Sequence, residues 1–168
     1  MIVVAEASPL ILLMKIGQIS ILPVLFQKVL MPPVVHEELR GPGASQNLMD
    51  WSANLPNWVE IREPASAITG LESLDAGERT AITLALEISA DQIIIDESSG
   101  RRAALLMGLE VTGTIGVLFR AAQSGLIDLD LAFDYLRKTD FFAGEALLID
   151  QLKRFRSWQL QQGGGDSG

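Results

Sequence analysis

The chain has 168 residues, of which 48% are hydrophobic and 20% charged, so it is long and apolar enough to fold into a globular domain. It contains no cysteine, which excludes disulfides, zinc–thiolate sites and cysteine nucleophiles. Its net charge of −8 repels nucleic-acid phosphates at long range, so any RNA contact would depend on a local basic patch or a bound metal.

Neither a signal peptide nor a membrane-spanning segment is visible in the sequence. The first apolar run follows Met1 with no basic segment before it. The longest apolar runs, such as Leu10 to Met14, are far shorter than the roughly 20 residues that cross a bilayer. We therefore expect a cytoplasmic protein.

Short, continuously apolar runs predict four strands that are buried on both faces of a parallel sheet. They lie at Ile2 to Ala5, Val29 to Met31, Ile93 to Ile95 and around Val111. Helical patterns lie between and after them, at Pro9 to Ile16, Leu22 to Phe26, Val34 to Leu39, Glu78 to Ala90, Arg101 to Met107, Ile115 to Ala122, Asp128 to Lys138 and Ala143 to Arg156. This alternation predicts an α/β domain with right-handed crossovers.

The stretch from Gly41 to Gly70 has weak periodicity apart from a short strand-like segment, Trp58 to Ile61. We interpret it as an excursion from the sheet rather than a linker between domains. The chain ends in a glycine-rich stretch, so we expect a single domain over residues 1–160 and a disordered tail over residues 161–168.

Acidic residues directly follow two of the predicted strands. Glu6 comes after the first strand, and Asp96 and Glu97 come after Ile95. The carboxyl ends of parallel strands share one edge of a sheet, where such folds place their sites, so these acids can be close in space. The alternative is that each acid begins a loop or caps the following helix.

Two further acids lie in predicted helices. Glu38 shares an apolar face with Val34 and Val35, where a carboxylate needs a partner such as a metal, unless the short helix frays and Glu38 reaches water or an arginine. Glu78 lies at a helix start, and a capping-box variant with Asp75 as the N-cap would explain it without any function.

Four acids, Glu6, Glu38, Glu78 and Asp96, could therefore meet in one pocket at the edge of the sheet. Clustered carboxylates repel one another and raise one another's pKa unless a counter-charge is present. Ligands that are all oxygen suit magnesium or manganese rather than zinc. Such a site can activate water and stabilise the charge that develops on an attacked phosphate.

Five short motifs occur in a recognisable order along the chain. They are Ala7-Ser8-Pro9-Leu10-Ile11, Pro33-Val34-Val35-His36-Glu37-Glu38-Leu39, Leu74-Asp75-Ala76-Gly77-Glu78, Ile94-Ile95-Asp96-Glu97 followed by Gly100-Arg101-Arg102, and Thr112-Gly113-Thr114-Ile115-Gly116-Val117-Leu118. In these motifs the sequence resembles the PIN domain family, specifically the DUF3368 subgroup related to VapC-type toxins.

The resemblance implies a three-layer α/β/α fold with a central parallel sheet of about five strands. It implies an endoribonuclease that depends on Mg²⁺ or Mn²⁺, often the toxin of a toxin–antitoxin pair, with an RNA substrate, a small antitoxin protein and a homodimer as expected partners. Carried over by position, the acidic set is Glu6, Glu38, Glu78 and Asp96, with Glu97 as a fifth metal ligand and the Ser8 hydroxyl supporting the first acid.

One residue departs from the family pattern, because the family usually has aspartate where this chain has Glu6. The longer side chain displaces the carboxylate, and a misplacement of about 1 Å can cost on the order of 100-fold in rate. The rival reading is therefore a catalytically weakened PIN-like module that serves in binding or assembly. A third reading, a small-nucleotide-binding α/β domain, lacks the phosphate-binding loop that it would need.

Two arginines follow the strand that ends before Asp96. Arg101 or Arg102 could face a substrate phosphate. The alternative is a solvated helix start in which both arginines form ion pairs within the chain.

Overall fold

The computed structural model describes residues 1–141 and 144–164. Its strands are short and follow the apolar runs of the sequence closely. They are β1 (Ile2–Ala5), β2 (Lys28–Met31), β3 (Val59–Ile61), β4 (Gln92–Ile94) and β5 (Val111–Thr112).

Helices connect these strands and continue after the last one. They are α1 (Ala7–Lys15), α2 (Leu22–Leu25), α3 (Pro33–Leu39), α4 (Gln46–Ala53), α5 (Ala76–Glu87), α6 (Ser98–Leu106), α7 (Thr114–Gln123), α8 (Leu129–Arg137) and α9 (Glu145–Gly163), and a short 3₁₀ helix, Ile19–Ile21, precedes α2.

In the described part of the chain, the strands form one five-stranded sheet in the order β3-β2-β1-β4-β5. Every neighbouring pair is parallel, which confirms the predicted α/β/α fold class. The chain runs outward from β1 to β3 and then returns to the other side of β1. This reversal makes the boundary between β1 and β4 a topological switch point, where open α/β sheets form a crevice at the carboxyl ends of the strands.

The sheet core consists of the apolar runs that predicted the strands. Val3, Val4, Val29, Ile93 and Ile94 are all fully buried. Burial on both faces explains why these strands show no polar alternation. Each such side chain contributes about 1.5–3 kcal/mol on burial, so the register of the central strands is strongly determined.

The interpretation of residues 41–70 as an excursion from the sheet is wrong in one respect. β3 lies within this stretch and pairs with β2 as the edge strand of the sheet, with Leu30 opposite Glu60. The stretch also contains α4, which the sequence analysis did not predict and which begins at an N-cap where Ser45 accepts a hydrogen bond from the Leu48 amide. The tryptophan rings of Trp51 and Trp58 lie 6.1 Å apart, so they pack locally.

The predicted start of the disordered tail is also wrong, because α9 continues through Gly163. Residues 165–168 lie outside the described residues. The extended helix places Arg154 and Arg156 inside α9 rather than at its end, and each pairs with an acid, Asp150 and Asp130 respectively.

Contacts divide the chain into two compact units, Met1–Thr114 and Ile115–Gly168. The first unit contains the whole sheet and all of the predicted acidic residues. Within the second unit, Phe155 stacks on Trp158 with ring centroids 5.6 Å apart and meets Phe119 edge-on at 5.7 Å. A single domain over residues 1–160 stays a prediction.

Among the described helices, none is by itself long and apolar enough to span a membrane, although one sharply bent pair, Ala7–Lys15 with Ile19–Leu25, could do so on length and composition alone.

Candidate acidic site

The site lies at the carboxyl ends of β1 and β4, where the two strands are neighbours. The Glu6 amide donates a hydrogen bond to the Ile94 carbonyl at 3.0 Å, so the residues that leave both strands begin at the same level of the sheet. Glu6 continues into α1, and Asp96 precedes α6. The fold therefore brings these two ends together as the sequence predicted, through parallel pairing of distant segments.

Glu6 is a buried acid of the site, with 4% of its surface exposed. Its Oε2 accepts a hydrogen bond from the Ser8 amide at 3.2 Å, which makes Glu6 the N-cap of α1. Burial raises the pKa of Glu6 from 4.5 to about 7; the Ser8 bond opposes this shift, and the charges of Glu38, Asp75 and Glu78 add to it. Ser8 therefore supports Glu6 through its backbone N–H and not through its hydroxyl, which is the group that the resemblance implies.

Glu38 is exposed, so the prediction that it points inward with Val34 and Val35 is wrong. The physical reason is that α3 has only seven residues and ends one position after Glu38, which leaves its long side chain free to turn toward α5. There its Oε1 lies 2.5 Å from the position that a Cβ would take at Gly77. Partial desolvation and then the charges of Asp75 and Glu78 raise the pKa of Glu38.

Glu78 lies in the first turn of α5, and only 4% of it is exposed. Its backbone amide donates to Asp75 Oδ1 at 2.8 Å, so Asp75 is the N-cap of this helix. The capping explanation is thus correct for Asp75, while the Glu78 side chain remains available. Burial, followed by the charges of Asp75 and Glu97, raises the pKa of Glu78.

Asp75 lies near the predicted acids but is not one of them. Its charge raises the pKa of Glu6, Glu38 and Glu78, although its own carboxylate caps α5. The available signal was its position three residues before Glu78 at a helix start, which was interpreted only as a cap. A helix N-terminus favours negative charge, so Asp75 can cap α5 and also add its charge to the acidic cluster.

Asp96 is held differently from the other acids. Its Oδ1 accepts from the Thr114 amide at 2.8 Å, and its Oδ2 accepts from the Thr114 hydroxyl at 2.7 Å. Thr114 is fully buried at the start of α7, so Asp96 has a fixed orientation. Its charge is not among those that raise the pKa of Glu6, Glu38 or Glu78.

Glu97 is exposed beside Asp96 and acts on the cluster through Glu78, whose pKa it helps to raise. The structure therefore joins Glu6, Glu38, Asp75 and Glu78 into one electrostatically coupled cluster. Glu97 lies at the border of this cluster. Asp96 comes after β4, and its carboxylate is oriented by the two hydrogen bonds from Thr114.

Arg101 lies beside Asp96. Its Nη1 and Asp96 Oδ1 are each 2.7 Å from the position that a Cβ would take at Gly113, and the same Nη1 donates to the Ile95 carbonyl at 2.9 Å. Arg102 is exposed in α6. Neither arginine takes part in a salt bridge between described residues, so the ion pairs of the alternative interpretation are not found there, and a contact with substrate phosphate stays a prediction.

The coupled acids have no cationic partner within the described ranges, because none of the salt bridges there includes Glu6, Glu38, Asp75 or Glu78. Raised pKa values and mutual repulsion among oxygen donors fit a hard divalent cation as the missing counter-charge. Residues 1–141 and 144–164 contain no group of three acidic or histidine side chains close enough to form a ready-made metal site. Magnesium does not require one, since it keeps several waters and uses one or two protein carboxylates.

Comparison with known proteins adds the following. The family model DUF3368, described as a PIN domain, matches residues 2–157 of this chain. Among solved structures, the chain is similar to a PilT N-terminus domain protein from the hyperthermophilic archaeon Sulfolobus solfataricus P2. The two are 16% identical with a TM-score of 0.48, and the match covers 70% of this chain and 90% of the other. No curated protein gives a significant match.

Proposed function

This chain belongs to the DUF3368 family, a PIN domain, and on that premise we propose that it is a divalent-metal-dependent endoribonuclease of the toxin type. The observation that supports the proposal most directly is the cluster of Glu6, Glu38, Asp75 and Glu78: burial and then neighbouring carboxylates raise the pKa of Glu6, Glu38 and Glu78, and no salt bridge between described residues includes any of the four acids. PIN domains are nuclease-type folds, and this cluster lies in the crevice where such a fold places its site.

The residues that would hold Mg²⁺ or Mn²⁺ are Glu6, Glu38 and Glu78, with Asp96 and Glu97 at the border of the site. When bound, the cation supplies positive charge that neutralises the carboxylates and stabilises the charge that develops on an attacked phosphate. Thr114 orients Asp96 through two hydrogen bonds, so that this carboxylate needs little reorganisation.

Glu6 also determines how the site responds to protons. Because its pKa is raised to about 7, Glu6 holds a proton in about half of the molecules at neutral pH when no cation is present. A carboxylate must lose its proton to ligate a cation, so binding releases this proton and strengthens as the pH rises. Ser8 occupies Oε2, which leaves Oε1 to accept or release the proton.

The same proposal includes the partners. An RNA strand is the substrate, and hydrolysis of its phosphodiesters requires no covalent intermediate on the protein. The toxin-type assignment also includes a small antitoxin protein and a homodimer as partners. The protein would act in the cytoplasm, where its RNA substrate is found.

Cleavage of labelled single-stranded RNA with Mn²⁺ or Mg²⁺ tests the proposal. We expect Glu78→Gln and Asp96→Asn to reduce the cleavage rate by about 100-fold or more, since electrostatic groups of this kind typically contribute that much. Glu37→Gln is the matched control, because Glu37 is exposed on α3 next to Glu38 and its loss changes the net charge equally. Equal cleavage by all of these proteins would point to a contaminating nuclease and remove the mechanism.

The rival function is a PIN-like binding or assembly module with weakened catalysis. Two observations favour it: Glu6 stands where the family usually has aspartate, and no ready-made set of three metal ligands is found among the described side chains. Titration calorimetry with Mn²⁺ separates the two functions. Absence of Mn²⁺ binding at millimolar concentration would favour the module, whereas binding that Glu78→Gln abolishes would favour the nuclease.

A further inference from the structure

Beside the acidic cluster lies a groove, and we propose that it binds one nucleotide of the RNA strand next to the phosphate that is cut, with Lys15 contacting a backbone phosphate. The inference rests on the proposed function and deepens it, because it assigns a substrate-binding subsite and its cationic residue. The groove runs between α1, the end of α3 and the loop that leads to α4.

The size of the groove fits a single base. Its volume is about 150 Å³, whereas sites that enclose a whole small-molecule ligand occupy roughly 300–1,000 Å³. An apolar cavity of about 150 Å³ holds one benzene ring. The groove can therefore receive one aromatic ring, while the ribose and phosphates remain at its open side.

The walls suit the flat, weakly polar face of a base. Ile11, Met14, Leu39 and Leu48 line the groove from three different helices, and a methionine side chain makes favourable contacts with aromatic rings. At the rim, Ser45 Oγ already accepts from the Leu48 amide, so its hydroxyl proton remains available for an acceptor on the base edge.

Lys15 places a positive charge at the groove. It is exposed at the last position of α1 and lines the groove, and it forms no salt bridge with any described residue. In a chain with a net charge of −8, an RNA phosphate needs such a local cation to approach. The carboxyl end of a helix also stabilises a cation at this position.

Glu38 links the groove to the acidic cluster. The same side chain lines the groove and lies against Gly77 at the start of α5, where its pKa responds to Asp75 and Glu78. A strand that places one base in the groove would therefore present a neighbouring phosphate to the acids. This shared residue is the reason to assign the groove to the substrate rather than to an unrelated ligand.

The experiment measures binding separately from cleavage. A short fluorescent single-stranded RNA is titrated in Mg²⁺ at several KCl concentrations, with Glu78→Gln as the background so that the RNA stays intact, which a gel verifies. Adding Lys15→Gln should reduce the slope of log K against log[salt] by about 0.7, the value for one phosphate contact on a single strand. Adding Ala44→Phe, which fills the groove, should weaken binding on the order of tenfold without changing the slope.

Lys28→Gln is the matched control, because Lys28 lies at the amino end of β2, away from the acids, and pairs with Glu60 at 2.8 Å. It should leave both the slope and the affinity unchanged. If Lys15→Gln behaves like Lys28→Gln, or if the RNA does not bind at all, the inference is overturned. If the slope changes as expected but the wild-type protein does not cleave RNA, the groove stands and the proposed nuclease activity falls.

Discussion

At the residue scale, burial and neighbouring negative charges both act on the carboxyl group of Glu6. Its pKa is raised from 4.5 to about 7, so between these pH values the folded protein holds a proton that the unfolded chain has released. The stability from this proton is fully present below pH 4.5 and is lost as the pH rises through about 7. Metal-free protein should therefore lose stability across this range.

The Glu6→Gln variant tests this linkage. Glutamine stays neutral and can still accept the hydrogen bond from Ser8, so the variant should be more stable than wild type above pH 7 by up to about 3 kcal/mol. Urea unfolding in the presence of a chelator, repeated from acid to neutral pH, gives the measurement. Glu37→Gln should keep the wild-type pH dependence, and a Glu6→Gln curve parallel to wild type would contradict the assignment.

Gly77 offers a second test at the same scale. An alanine there would place its Cβ 2.5 Å from Glu38 Oε1, so the Glu38 carboxylate would have to move. Gly77 is the second residue of α5, where the helix-propensity gain from alanine is smaller than the roughly 1 kcal/mol of a helix interior, and the Glu38 carboxylate is the mobile end of an exposed side chain, so Gly77→Ala should not lower stability. We expect unchanged or higher thermal stability together with weaker Mn²⁺ binding by calorimetry. Wild-type Mn²⁺ affinity in this variant would place Glu38 outside the metal site.

At the element scale, the loop after β4 is tied to the start of α7 by Asp96 and Thr114. Thr114→Val keeps the shape of the side chain but removes the hydroxyl that donates to Asp96 Oδ2. Hydrogen bonds to charged groups contribute about 1.5–3 kcal/mol, so we expect a destabilisation of that size in urea unfolding.

Thr83→Val is the control for this substitution. Thr83 is also buried, but its hydroxyl donates to the Arg79 carbonyl within α5, which already belongs to the helix ladder. Its replacement should cost less than about 1 kcal/mol. Equal costs at both positions would mean that the bond to Asp96 adds nothing beyond the burial of a threonine.

The elements themselves were predictable to different degrees. β1 was predicted with its observed ends because all four of its residues are apolar, as is typical of a parallel strand that is buried over most of its length. The starts of α5 and α6 were predicted two and three residues too late, because capping and first-turn residues are polar and lack periodicity. β3 was predicted as a strand-like segment but not as part of the sheet, and α4 was not predicted, because an edge strand and a half-buried helix have weak apolar patterns.

At the scale of the whole molecule, an uncompensated acidic cluster makes a cation a stabilising ligand. A ligand that binds only the folded protein adds about 2.7 kcal/mol at 100 times its Kd, which corresponds to a Tm increase of several degrees for a chain of this size. We expect Mn²⁺ to raise the Tm of the wild-type protein near neutral pH, as measured by differential scanning calorimetry.

A double variant, Glu6→Gln with Glu78→Gln, provides the contrast for this measurement. It removes two of the coupled carboxylates, so it should have a higher Tm than wild type without metal and a much smaller increase with Mn²⁺. A full Mn²⁺ response in the double variant would show that the cation binds elsewhere on the acidic surface.

The sequence by itself determined the α/β class, the central strands and the position of Glu6 and Asp96 at strand ends, because buried parallel strands must be continuously apolar and their carboxyl ends must meet at one edge. Only the tertiary structure decided which acids interact. Three features depend on where a side chain from one element meets another. They are the exposure of Glu38, the position of Asp75 beside the other acids and the hydrogen bonds from Thr114 to Asp96. Periodicity within a segment reports which face is buried, but it contains no information about the partner that this face will meet.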